Sequence, residues 1–166
     1  MILAVGNNMK VVIAIDSFKG SMSSLEAGKA IKMGVHKARP EAKVIIRPLA
    51  DGGEGTVEAL SIGMGGELIK VNVTGPAGKP VMAEYGIIES TKTAIIEMSQ
   101  AAGITLVKGD EKNPLYTTTF GVGEMIKDAI KRGCRHFIVG IGGSATNDCG
   151  VGMLQALGYE LLDSEG

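Results

Sequence analysis

The feature that most constrains the fold is "GIGGSATNDCG", a glycine-rich stretch at residues 140–150. It lies between the apolar run "HFIVGI" (136–141) and the helical pattern "VGMLQALG" (151–158). An apolar strand, a glycine-rich turn and a helix in this order are typical of the α/β class, in which strands alternate with helices. The hydroxyls, the carboxylate and the main-chain N–H groups of a loop before a helix are also suited to binding an anion. We therefore predict an α/β fold with an anion-binding loop at this position.

Two further loops of the same kind follow two further strands. The run "KVVIAI" (10–15) precedes "DSFKGS" (16–21), and "KVIIRPL" (43–49) precedes "ADGGEGT" (50–56). The first of these strands is continuous and β-branched, as expected of a strand buried on both faces of a parallel sheet. Ligands of such sheets bind outside the carboxyl ends of the strands, so the loops should meet there with residues 142–148.

The remaining elements follow from hydrophobic periodicity and capping patterns. We predict one helix from the capping box of Ser23 and Glu26 to Pro40, and further helices over 57–64, 119–133 and 148–157. In addition to the strands above, we predict strands over 66–75, 80–90, 92–98 and 159–163.

The strands between residues 66 and 98 follow one another too closely to leave room for crossover helices. We therefore predict a Rossmann-like three-layer parallel sheet that carries a strand-rich antiparallel or mixed insertion. The predicted organisation is an N-terminal extension (1–8), an α/β portion (9–65 and 113–166) and an insertion or the start of a second domain (66–112).

Composition excludes several classes of partner. The 166 residues carry a net charge of −1 with scattered basic residues, which argues against nucleic acid. No apolar stretch approaches the roughly 20 residues of a membrane span, and the N-terminus lacks the pattern of a signal peptide. The two cysteines show no paired motif and no metal-ligand spacing. We predict a cytoplasmic protein with reduced thiols.

The three loops contain the residue types that phosphoryl transfer requires. Lys19 offers a positive charge for a phosphate. Asp16, Asp51, Glu54 and Asp148 offer carboxylates that bind Mg²⁺ or accept a proton from a hydroxyl nucleophile. Because this reaction depends mainly on positioning and charge stabilisation, a phosphate loop, a cation and an acidic cluster indicate a kinase.

Two other nucleotide-binding patterns were weighed against this one. The stretch "GIGGSATND" lacks the lysine of a Walker A loop. Gly140, Gly142 and Ala145 match the dinucleotide fingerprint G-x-G-x-x-A, with Glu160 and Asp163 about twenty residues further on. An NAD-binding or other nucleotide-binding module without chemistry of its own therefore stays open as an alternative.

Taken together, "DSFKG", "ADGGEGT" and "GGSATND" closely resemble the glycerate kinase family. Its bacterial members phosphorylate D-glycerate with ATP. The resemblance runs from about Met9 to the last residue, and it implies an enzyme that uses ATP and Mg²⁺. The implied product is 2-phosphoglycerate or 3-phosphoglycerate, of which we favour the first.

The chain departs from the family in two ways. It has Cys149 where relatives commonly have glycine. Family members are also substantially longer, so the chain resembles their N-terminal part, and its activity is expected to need the C-terminal part or another copy of the chain. A non-catalytic fragment that requires a partner is a further alternative.

The resemblance carries over onto three sets of positions: Asp16, Ser17 and Lys19; Asp51, Gly52, Gly53, Glu54 and Thr56; and Gly142, Gly143, Ser144, Thr146, Asn147 and Asp148. We expect ATP to be held by Lys19, Ser17, Gly52, Gly53, Gly142, Gly143, Ser144, Thr146 and Asn147. We expect Asp51 or Glu54 to hold Mg²⁺. Either Asp16 or Asp148 is expected to orient the glycerate hydroxyl.

Overall fold

The computed structural model describes residues 9–18, 21–53 and 55–164. Six strands are present in these ranges: β1 (Lys10–Ile15), β2 (Lys43–Pro48), β3 (Glu67–Thr74), β4 (Pro80–Ile88), β5 (Thr93–Glu97) and β6 (His136–Gly140). The α-helices there are α1 (Ser24–Ala38), α2 (Thr56–Met64), α3 (Ser99–Ala102), α4 (Phe120–Lys131) and α5 (Val151–Leu157). No helix in the described ranges is long and apolar enough to cross a membrane.

Strands β1 and β2 form a two-stranded parallel sheet, which α1 covers. The predicted capping box starts this helix: the Ser23 side chain accepts from the Glu26 N–H, and the Glu26 carboxylate accepts from the Ser23 N–H. The expectation that β1 is buried on both faces was wrong. Ile13 is buried, but Val12 on the opposite face is 55% exposed because α1 packs on one side only.

The second sheet has the order β3-β4-β5-β6. Its first three strands are antiparallel neighbours, whereas β5 and β6 are parallel, with Glu97 opposite Gly140 at their carboxyl ends. The mixed α/β class and the mixed sheet are thus confirmed. Because β6 pairs with β5, it belongs to the sheet of the predicted insertion, and the Rossmann-like arrangement stays a prediction.

One hydrophobic core lies between this sheet and α4. Tyr85 and Ile96 from the sheet meet Met125 and Ala129 from the helix, and all four are fully buried. This core includes residues from both sides of position 112, where we predicted a domain boundary, and the division into domains stays a prediction. A smaller cluster of Val57, Ile88 and Ile95 joins α2 to the same sheet.

The C-terminal elements differ from expectation. Helix α5 begins at Val151 rather than at residue 148, because Gly150 adopts a left-handed conformation (φ 79°) directly before it. No strand forms over 159–163, where Leu161 and Leu162 are exposed and no described strand pairs with the segment.

Candidate active site

The three predicted loops meet at one cavity of about 380 Å³. We call it the loop cavity. Its lining includes two residues from each loop, namely Asp16 and Ser17, Asp51 and Gly53, and Gly142 and Gly143. Ser99, Gln100 and residues 104–106 form much of the rest of the wall.

Numbered in chain order, the first loop is 16–21, the second is 50–56 and the third is 142–148. The second and third loops contact each other through their backbones. The Gly142 N–H donates to the Gly52 carbonyl at 3.0 Å. A Cβ on Gly142 would lie 2.7 Å from the Cα of Gly53, and one on Gly140 would lie 2.6 Å from the Gly52 carbonyl oxygen. Both distances are too short for a side chain, so glycine is required on this side of the contact.

Two carboxylates face the loop cavity. Asp16 Oδ1 accepts from the Ser17 N–H at 2.6 Å, and Asp51 Oδ1 accepts from the Gly53 N–H at 3.1 Å. Mg²⁺ is commonly bound by one or two carboxylates together with substrate phosphates and water, and this donor set fits it. Among the described residues, no group of three or more His, Cys, Asp or Glu could hold a metal ion. Lys19 and Glu54 lie outside the described residues.

Asp148 lies apart from these carboxylates. Its Oδ2 accepts from the Thr119 N–H, the Thr119 hydroxyl and the Gly152 N–H, and its Oδ1 accepts from the Gly150 N–H, over 2.8–3.1 Å. Burial raises the pKa of the Asp148 carboxyl, but the hydrogen bonds from Thr119, Gly152 and Gly150 outweigh burial, and the net pKa is lowered. The side chain therefore ties the third loop to the first turns of α4 and α5.

This arrangement changes the anion site that we expected at the start of α5. Two N–H groups there, those of Gly150 and Gly152, already donate to Asp148. The protein's own carboxylate thus occupies the position that a phosphate would take at a helix N-terminus.

The hydroxyl-bearing part of the third loop lines a second cavity, of about 360 Å³. Ser144, Thr146, Asn147 and Asp148 form its polar side, while its apolar side includes Val139. The Ser144 and Thr146 hydroxyls lie 2.9 Å apart and share a hydrogen bond. The structure therefore divides the predicted residues of the third loop between two cavities.

Sequence analysis missed Glu97, which lies at the carboxyl end of β5 and is only 2% exposed. Its Oε1 accepts from the Val57 N–H at 2.7 Å, and its Oε2 accepts from the Ser99 hydroxyl at 3.3 Å. The available signal was a carboxylate directly after the apolar residues "AII" (94–96) of the predicted strand. We overlooked it because no glycine-rich loop follows that strand.

The geometry does not support the dinucleotide fingerprint. Gly142, the second glycine of the motif, packs against the backbone of Gly53, where a pyrophosphate would have to approach. Helix α5 also begins only at Val151, well beyond the motif, whereas the fingerprint opens directly into a helix.

Comparison with known proteins confirms the family resemblance that the three loops indicated. The model of the glycerate kinase family matches residues 11–166. The glycerate kinase of Bacillus subtilis (strain 168) is 52% identical over 158 residues, which are 95% of this chain and 41% of that protein. The glycerate 2-kinase of Escherichia coli (strain K12) is 49% identical, over 95% of this chain and 42% of that protein.

A solved structure gives the same result. A crystal structure from Salmonella typhimurium LT2, provisionally described as glycerate kinase 2, superposes with a TM-score of 0.87 at 49% identity. The match covers 96% of this chain and 42% of that one. The chain belongs to the glycerate kinase family, and it spans about two fifths of the length of these relatives.

Proposed function

We propose that the chain takes part in the ATP-dependent phosphorylation of D-glycerate, with 2-phosphoglycerate as the product. The observation that carries this proposal is the meeting of the three family loops at one cavity, where Asp16 and Asp51 both face the same space. Family membership supports glycerate as the substrate, and the name of the E. coli relative, glycerate 2-kinase, supports phosphorylation at the 2-position. The two unpaired cysteines support a cytoplasmic location.

In this proposal each loop has its own role. Asp16 accepts the proton of the glycerate hydroxyl while the hydroxyl oxygen bonds to the γ-phosphorus of ATP. The bond between that phosphorus and the oxygen that bridges it to the β-phosphate breaks, and ADP is released. Asp51, with Glu54, holds Mg²⁺. When bound, this ion neutralises charge on the phosphates. Lys19 and the glycines of the loop cavity hold the transferred phosphate.

The remaining positions of the third loop act less directly. Because Asp148 is engaged by four donors, we assign it to fixing the loop rather than to accepting the substrate proton. Ser144, Thr146 and Asn147 line the second cavity, which is the place we propose for the rest of the nucleotide.

The test measures ADP release by the purified chain with ATP, Mg²⁺ and D-glycerate. In this arm, or in the complemented second arm described next, we expect ADP release that depends on glycerate and that falls by at least about a hundredfold in Asp16→Asn and in Asp51→Asn. The matched control is Asp110→Asn, an exposed aspartate in the 3₁₀ turn Gly109–Glu111, which should behave as wild type.

A second arm adds the separately expressed C-terminal region of the Bacillus subtilis relative. ADP release only in this arm would show that the missing catalytic groups lie in that region. Absence of glycerate-dependent release in both arms would reject the proposed function. Near-normal turnover in either aspartate variant would remove that residue from the mechanism.

A further inference from the structure

Glu97 occupies an unusual position for a charged side chain. It ends β5, in the interior of the four-stranded sheet, and it is 2% exposed. A carboxylate is costly to bury unless hydrogen bonds compensate for the lost water. Glu97 has such bonds from the Val57 N–H at 2.7 Å and from the Ser99 hydroxyl at 3.3 Å.

The first of these bonds holds the end of the second loop. Val57 is the second residue of α2, and Gly55, the N-cap residue of that helix, has no side chain to accept from the first turn. Glu97 supplies the acceptor from 40 residues further along the chain. Its negative charge also lies at the end of α2 where the helix dipole is positive.

The surroundings of Glu97 also reach the third loop. Its register partner in β6 is Gly140, and the next residue, Met98, donates its N–H to the Gly140 carbonyl at 2.9 Å. Ser99 lies against the same loop, because a Cβ on Gly143 would be 3.3 Å from the Ser99 Cβ. Glu97 thus lies where β5, the second loop and the third loop join.

We propose that Glu97 is a positioning residue that holds the second loop in its contact with the third loop. Through this contact it sets the place of Asp51 in the loop cavity. The proposal rests on the proposed phosphorylation of glycerate only for its kinetic effect. Its structural effect, on the amides of Val57 and Gly142, is independent of the reaction.

The test compares Glu97→Gln and Glu97→Ala with wild type. The matched control is Glu84→Gln. Glu84 and Glu97 both line a cavity beside α2, but the Glu84 carboxylate lies near the surface, 3.9 Å from the Lys70 ammonium. Amide hydrogen exchange should accelerate at Val57 by about tenfold in Glu97→Ala, as expected for the loss of one capping bond. The Gly142 amide resonance should shift as well. Glu97→Gln keeps the shape and one acceptor oxygen, so it should show a partial effect.

Kinetics separate positioning from a purely structural role. Misplacement of Asp51 should lower kcat by about tenfold or more in Glu97→Ala and change KM by less than about threefold. Unchanged Val57 exchange, or altered exchange with an unchanged Gly142 resonance, would overturn the proposal. If Glu97→Ala does not fold, Glu97→Gln decides by the same criteria. Absence of glycerate-dependent ADP release in both arms of the assay above would reject the proposed function, while the two amide measurements would still decide the role of Glu97.

Discussion

The Tyr85 hydroxyl donates a hydrogen bond of 2.7 Å to the carboxylate of Asp128, which joins β4 to α4 in the main core. Tyr85 is fully buried, and burial, together with the bond to Asp128, raises the pKa of its hydroxyl. Asp128 also accepts from Arg132, the residue that directly follows α4. The pair therefore fixes how α4 lies on the sheet that carries Glu97.

The first prediction concerns this hydrogen bond. Tyr85→Phe removes the donor without opening a large cavity, so we expect the free energy of unfolding to fall by about 1.5–3 kcal/mol, the range for a hydrogen bond to a charged group. Urea denaturation measures the change. Tyr116→Phe is the control because Tyr116 is 82% exposed, and an equal loss in both variants would contradict the assignment.

The second prediction concerns Asp148. Asp148→Asn weakens four hydrogen bonds and brings an amide N–H₂ group against donors, so we expect a loss of roughly 2 kcal/mol in the free energy of unfolding. Chemical denaturation near neutral pH gives the value. A stability equal to that of wild type would show that Asp148 does not hold the loop.

The same residue gives a pH dependence. The folded pKa of Asp148 lies below the ordinary value of 3.8, so the unfolded chain binds the proton first as the pH falls. Its contribution is complete well above pH 3.8 and is lost as the pH drops through the lowered folded pKa. Urea midpoints measured from about pH 6 to about pH 3 should therefore fall more steeply in wild type than in Asp148→Asn. Parallel curves would contradict this origin of acid sensitivity.

The third prediction uses the backbone at Cys149. This residue is exposed and has φ 52°, in the left-handed region that disfavours a side chain. Cys149→Gly should raise the free energy of unfolding by about 0.5–1 kcal/mol, because relief of strain exceeds the added entropy of the unfolded chain. At the next position, Gly150→Ala should have the opposite sign, since Gly150 has φ 79°. Thermal denaturation of both variants gives the two signs.

The fourth prediction concerns the contact between the two glycine-rich loops. Gly142→Ala places a Cβ 2.7 Å from the Cα of Gly53, so the loops must separate. We expect glycerate-dependent ADP release to fall by at least about tenfold. Gly63→Ala is the matched control: a Cβ there meets nothing within 4 Å, and alanine favours the helix. A normal rate in Gly142→Ala would show that the loops act independently.

Local patterns predicted most of the elements. The capping box of Ser23 and Glu26 and the β-branched run of β1 depend on residues close in sequence. The helix start and the strand were both confirmed, whereas the burial of β1, which depends on distant segments, was not. The partner of β6 was not predictable in this way, because strand pairing depends on contacts between distant segments. Periodicity does not show which strand lies beside His136–Gly140.

The candidate site was predictable to a similar extent. Its glycines and acidic residues stand out in the sequence, and the cavity that unites Asp16 with Asp51 follows from the rule for strand ends. The role of Asp148 was not predictable, since its partner Thr119 lies 29 residues away, directly before α4. Glu97 was missed because no glycine-rich loop marks the end of its strand, and because its role depends on the Val57 N–H, which is 40 residues away.

The contact of Gly142 with Gly52 and Gly53 is made of backbone alone. An interface between side chains can adjust when one partner changes, because a smaller residue opposite can restore the fit. Here no smaller residue exists. Evolution can therefore alter this junction only by changing the course of the chain, through insertions or deletions in one loop matched by the other, and the lengths of the two loops should vary together.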